Sequence, residues 1–178
     1  MLTHIGALAI AEDVVELLLE CHGRIRTFTE LATRLATAEG ATEEEIAVAA
    51  ASVRRYFAEA LPLHMQDEEE SLLPRLAGRD RQVDAALVTM HRDHDGQGAA
   101  LARMVELCGE LASSPGRHGE LAPALAGAAA SVREHFERHL ALEEQIVFPA
   151  IRAVLGDGVR AEIVRELRAR RAPAHSSR

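Results

Sequence analysis

Residues 64–74 read HMQDEEESLLP and residues 139–149 read HLALEEQIVFP. Both are H-x3-E-E-x4-P, 75 positions apart. A histidine and a glutamate four residues apart lie one turn apart on the same face of an α-helix. His64 with Glu68, and His139 with Glu143, can therefore reach one ion, or two ions a few ångströms apart. Two more histidines stand upstream at similar distances: His22 precedes His64 by 42 residues and His94 precedes His139 by 45. Imidazole and carboxylate together suit iron, manganese or zinc, and two carboxylates can bridge a metal pair. Burying Glu68 and Glu143 without a cation is costly. A metal removes that cost and makes the deprotonated ligands the stable state.

A single histidine in an apolar stripe is more often a hydrogen-bonded core residue than a ligand, and a lone His-x3-Glu is routine surface chemistry. Four stripe histidines with a duplicated motif would require several such coincidences at once. The metal set expected from spacing is His22, His64, Glu68, His94, His139 and Glu143. His91, three residues before His94, either joins the set as a fifth histidine or flanks the site and leaves the metal a water. Glu69 and Glu144 fall about 100° round the helix from the ligating glutamates. They are expected in solvent or hydrogen-bonded behind a ligand, with Glu70 at the surface. His135, one turn before His139, is expected to be solvent-facing or loosely packed, with a role behind a ligand as the alternative. His4, His118 and His175 fall in a terminus or loop and are expected at the surface. Tyr56, Cys21 and Cys108 read as packing residues. No histidine has a glutamate three positions before it, and HExxH is absent. Those absences disfavour a bundle built on Glu-x-x-His and a zinc-protease helix.

The elements that must position these residues are helices. The first is predicted from about Glu12 to Ala38, with Val14, Leu18, His22, Ile25, Thr29, Ala32 and Leu35 as its buried stripe. Thr42 with Glu45 forms a capping box for a second helix that runs to about Leu76. Pro62 lies inside it, where a kink or short break is expected. A third helix runs from about Asp80 to Leu111, SSPGRHG (113–119) is a loop, and a fourth runs from about Glu120 to Val154. A short fifth occupies about 159–171. The chain reads as two similar helical hairpins, each with one histidine on its first helix and a His-x3-Glu on its second. The expected fold is all-α, an up-down-up-down four-helix bundle with a short C-terminal fifth helix. It forms one domain over 1–172, followed by a disordered tail, 173–178. The Arg-rich stretch 165–178 reads as the solvated end of the last helix and a frayed terminus.

Composition narrows the function. The 178 residues carry a net charge of −8, with 48% hydrophobic and 3% aromatic residues and no lysine. That balance argues against a nucleic-acid partner, which would need a basic stripe. Two cysteines make neither a disulfide framework nor a CxxC site. The first residues lack a basic leader segment, and no apolar run reaches membrane-spanning length. A soluble cytoplasmic protein without a membrane partner is expected.

On ECHGRIRTF with His22, HMQDEEESLLP with His64 and Glu68, MHRDHDGQG with His94, and HLALEEQIVFP with His139 and Glu143, the chain resembles the hemerythrin-like proteins of the HHE cation-binding type. The likeness covers about 12–155. It implies a four-helix bundle holding a non-haem di-iron centre bridged by two carboxylates. It also implies a role in binding, sensing or handling O2, NO, peroxide or iron; the alternative it leaves is a redox enzyme or a repair protein for iron centres. Oxygen-carrying members place two histidines one turn apart on the third helix and end with H-x4-D. This chain has His91-x2-His94 and His139-x3-Glu143, which leaves the metals coordinatively unsaturated and open to exogenous ligands. The acidic surface and fifth helix permit a homodimer without requiring one.

Overall fold

The computed structural model describes residues 13–96 and 98–172; His4, His175 and the tail 173–178 lie outside them. Among the described residues the regular structure is helical throughout, with no strand. In chain order the α-helices are α1 (Val14–Ala36), α2 (Glu43–Arg55), α3 (Leu61–Gln66), α4 (Leu73–Leu76), α5 (Arg81–Gly96), α6 (Gly98–Ser113), α7 (His118–Leu142), α8 (Phe148–Val154) and α9 (Asp157–Arg171). The side chain of Asp13 caps α1, accepting from the backbone N–H of Val15 at 2.7 Å. The Thr42–Glu45 capping box is present in both directions.

The helix expected to continue to Leu76 is interrupted twice, and the helix through Glu143 once, by π turns rather than breaks. These are Tyr56–Ala60, Asp67–Leu72 and Glu143–Val147. Each is followed by a proline at the second position of the next α segment: Pro62, Pro74 and Pro149. Proline has no N–H to donate, and its ring crowds the carbonyl four residues back. Those carbonyls belong to Ala58, Glu70 and Gln145, each inside a π turn. The residue before each proline donates five residues back instead: Leu61 to Tyr56, Leu73 to Glu68 and Phe148 to Glu143. Pro123, early in α7, leaves its helix α-type; its crowded carbonyl belongs to Gly119 in the first turn, where the chain is free to adjust.

The helices pack as a bundle: α1 lies on α2 and α7, α6 on α2 and α7, and α9 on α1 and the Asp67–Leu72 turn. Two separate apolar cores result. One gathers Ile25, Val53, Leu61, Met104, Phe136 and Leu140 with their neighbours. The other gathers Leu18, Leu72, Met90, Val147, Ile151 and Ile163. On α1 the expected stripe is buried throughout, and His22 falls between Leu18 of one core and Ile25 of the other. His64 and Glu68 likewise fall between Leu61 and Leu72, and Glu143 between Leu140 and Val147. Among the described residues no helix is long and apolar enough to cross a membrane.

If proline sets the π turn, Pro149→Ala returns a donor and relieves the crowding. The expected result is a higher thermal midpoint, since Ala is favoured over Pro by about 3 kcal/mol inside a helix. Amide NMR should also show i→i−4 bonding across 143–147. A variant that melts lower and keeps the wide turn would assign the turn to packing instead.

Candidate metal centre

The layer between the two cores is polar. His22, His64, Glu68, His139 and Glu143 are buried there, each at most 3% exposed, and the side chain of His94 is 5% exposed. Two groups of donor atoms converge. His22, His64, Glu68 and Glu143 form one; Glu68, His94, His139 and Glu143 form the other. Within each group the donor atoms lie within 4.8 Å of one another. Glu68 and Glu143 belong to both.

The two carboxylates divide their oxygens between the groups. Glu68 turns Oε1 to His64 Nε2 at 3.0 Å and Oε2 to His94 Nε2 at 3.2 Å. Glu143 turns Oε2 to His22 Nε2 at 2.7 Å and Oε1 to His139 Nε2 at 2.7 Å. His94 Nε2 and His139 Nε2 face each other at 3.2 Å. Although close, His22 Nε2, His64 Nε2 and all four oxygens of Glu68 and Glu143 lack the alignment of hydrogen bonds. Buried polar atoms without such partners are rare and expensive. Lone pairs that converge on common points without bonding one another fit cations held between them, and imidazole with carboxylate is a donor set for iron, manganese or zinc.

The second glutamate of each repeat sits behind a histidine of the other half. His94 Nδ1 donates to Glu69 at 2.7 Å, and His22 Nδ1 donates to Glu144 at 2.8 Å. Arg26 also donates to Glu144 at 2.8 Å. A proton held on Nδ1 leaves the Nε2 lone pair facing the centre. Of the two alternatives open for Glu69 and Glu144, this is the one realised. Turned from its own histidine by its place on the helix, each second glutamate meets an imidazole from the other half of the bundle. His91 stands outside both groups, with its side chain 64% exposed and Nδ1 3.2 Å from Glu69. His135 stacks on His139 with ring centroids 5.9 Å apart and lies outside both groups as well.

Elsewhere two expectations are corrected. His118 is half-buried, its Nε2 donating to the Leu35 carbonyl at 2.7 Å; the carbonyls at the end of α1 need donors, and the first residue of α7 supplies one. The basic end of the chain is not simply solvated. Arg170 Nη1 donates to Asp67 Oδ1 at 2.8 Å, and Arg171 lies 2.6 Å from Asp67 Oδ2. Asp67 is fully buried, and spacing alone did not mark it. The one signal was the single acid that the first repeat carries where the second has Leu142. Tyr56 packs as expected, stacked on Phe28 at 4.2 Å. Cys108 is buried, which pushes its thiol up to about 12.

Charges within the layer are strongly coupled. Burial opposes the charged forms of His64, Glu68, His94 and His139, yet the neighbouring acids and imidazoles outweigh it. Burial lowers His94, but Glu68, Glu69 and Glu143 outweigh it and raise its pKa to about 9. Burial also acts against His64, which Glu68 carries well above the ordinary imidazole value. Glu68 is held well below the carboxylate range by His64 and His94 in spite of its burial. Protons therefore do in the metal-free chain what a cation does in the loaded one.

A family model described as Hemerythrin HHE cation binding domain matches residues 13–112, more than half of the chain. The matched span holds His22, His64, Glu68 and His94; His139 and Glu143 lie beyond it and complete the centre through the second repeat. A comparison with curated proteins finds no match.

The sign of the pH dependence follows from His94. Its pKa is raised on folding, so its contribution to metal-free stability is complete below about 6.5 and is lost as pH climbs through about 9. His64 shifts the same way. Thermal melts should therefore show the metal-free protein weakening across pH 6.5–9, and the rise in Tm on adding metal growing over that window. A metal-induced rise that shrinks with pH would contradict this balance.

Proposed function

This chain belongs to the hemerythrin HHE cation-binding domain family, and from that membership we propose that its buried layer holds a pair of non-haem iron ions and that the protein binds, senses or handles a small oxidising ligand. One observation carries the reading: Glu68 and Glu143 each offer one oxygen to each of two histidine pairs. His22 and His64 would hold one ion and His94 and His139 the other, with the two carboxylates as bridges and His91 outside. The family's association with metal cations and the clustering of these donors support it. When bound, the metals supply a place for O2, NO or peroxide and electrons to exchange with it.

The chain's own residues prepare that place. Glu144 and Glu69 hold the Nδ1 protons of His22 and His94. The two apolar cores close the layer against bulk water. Two nitrogens and two oxygens for each ion leave positions open for an exogenous ligand. The reading takes residues 1–172 as one domain, an up-down-up-down four-helix bundle with α9 as a short fifth helix, working in the cytoplasm. Manganese and zinc fit the same donors, so metal analysis decides the native ion. Sustained consumption of peroxide or NO with an electron donor would favour the redox-enzyme alternative; binding without turnover favours sensing or storage.

Shared carboxylates make a specific test. Wild-type protein should carry about two metal equivalents, Glu68→Ala or Glu143→Ala should lose both, and His64→Ala should spare the His94–His139 ion. Metal content by elemental analysis reads all four proteins. Wild-type protein with no iron, manganese or zinc, or His64→Ala with unchanged content, would remove the proposal.

A further inference from the structure

The two H-x3-E-E-x4-P repeats agree at the histidine, both glutamates and the proline, and they differ where one would expect equivalence. Positions 67, 70 and 71 are Asp, Glu and Ser, against Leu142, Gln145 and Ile146. Those three residues are the ones that α9 grips. Arg170 donates to Asp67 at 2.8 Å, to Ser71 Oγ at 2.9 Å and to Glu70 at 3.1 Å. Arg171 pairs with Asp67 at 2.6 Å, close but off the axis of an aligned hydrogen bond. Glu166 accepts from Ser71 Oγ at 2.6 Å and from Arg75 at 2.7 Å. At the counterpart positions of the second repeat, Leu142 and Ile146 are apolar and pack against a hydrophobic core.

We propose that α9 is a clamp on the Asp67–Leu72 turn, and that its arginines fix the register that points Glu68 into the centre and Glu69 at His94. The inference rests on the metal reading of that centre for its functional consequence. Pro74 removes the backbone donor that would otherwise set this turn at α pitch, so the turn is open to adjustment. Side chains from outside then decide which way its residues face. Asp67, Glu70 and Ser71 are held on the α9 side, which leaves Glu68 and Glu69 for the opposite side. Without the two guanidinium groups, a fully buried Asp67 carboxylate would stand uncompensated beside Glu68, and burying an unpaired charge is unfavourable enough to drive rearrangement. Asp67, Arg170 and Arg171 are thus positioning residues that act through Glu68 and Glu69.

The test compares the full chain with Arg170→Gln/Arg171→Gln and with Arg160→Gln, which removes a contact of α9 to Asp13 instead. In metal-free protein, amide hydrogen exchange should speed up across 68–73 in the double variant, leaving 143–148 unchanged. In protein loaded with Co(II), whose visible bands report ligand geometry, the bands should shift and release to a chelator should quicken by about tenfold. Arg160→Gln should do neither. Equal loosening of both turns, or bands and release rates that match wild type, would overturn the clamp. If the double variant does not fold, Asp67→Asn keeps the shape, removes the charge and is expected to give the same local loosening. Wild-type protein that binds no Co(II) overturns the metal reading alone, because exchange across 68–73 still decides the clamp.

Discussion

Everything in this molecule is arranged around two carboxylates buried between two apolar cores. Glu68 and Glu143 have no exposed surface, and an unpaired charge in such a place is far too expensive to persist. The bundle answers with four imidazoles from four stretches of helix, each placed where an apolar stripe would otherwise run on. Leu18, His22 and Ile25 on α1 illustrate the rule: core, centre and core again within two turns. This is why the hydrophobic interior is two clusters rather than one. A polar layer of this kind stabilises the fold only when every member is satisfied. The close approaches without hydrogen-bond alignment fit a cation held among these donors.

The repeats exchange their partners. Glu143 and Glu144, on the second repeat, meet His22 of the first; Glu68 and Glu69, on the first, meet His94 of the second. Neither half can therefore assemble a centre alone, and docking the halves is the same event as completing the site. The two ends are finished differently. Glu144 is held from outside by Arg26 on α1, whereas Glu69 lies on the turn gripped by α9. The site is close to symmetric in its donors and asymmetric in what supports them.

Much of this was legible in the residues. The α1 stripe, the capping box at Thr42 and the convergence of six side chains all follow from helical periodicity and a duplicated motif. Three features were legible only in part. Periodicity turns Glu69 and Glu144 about 100° from the ligating glutamates, which left solvent and a place behind a ligand both open. The imidazoles they meet come from the other half of the bundle, which the spacing within one helix does not locate. The proline ten residues after each histidine was visible as part of the motif, but the wide turn that precedes it was not. Asp67 and its arginines were hidden for a different reason. Their partnership spans about a hundred positions, and nothing local in an acidic run or a basic helix end says that the two meet.

The acidic run DEEE shows how such local ambiguity resolves. Four consecutive residues on a helical turn face nearly all directions round its axis, so a run of four acids has a single solvated face only if the helix is exposed on most sides. Here Asp67 and Glu68 are buried, Glu69 is half-buried and Glu70 stays exposed. Asp67 meets Arg170 and Arg171, Glu68 the centre, Glu69 the imidazoles of His91 and His94, and Glu70 the side chains of Gln66 and Arg170. Each acid has a cationic or donor partner, with Arg170 shared by Asp67 and Glu70 and His94 shared by Glu68 and Glu69. In the second repeat only the two central glutamates remain, and their flanks are Leu142 and Gln145. The differences at 67, 70 and 71 thus fall at the residues that α9 contacts. A chain that lost α9 would need the first repeat to become more like the second to keep its buried charges paired.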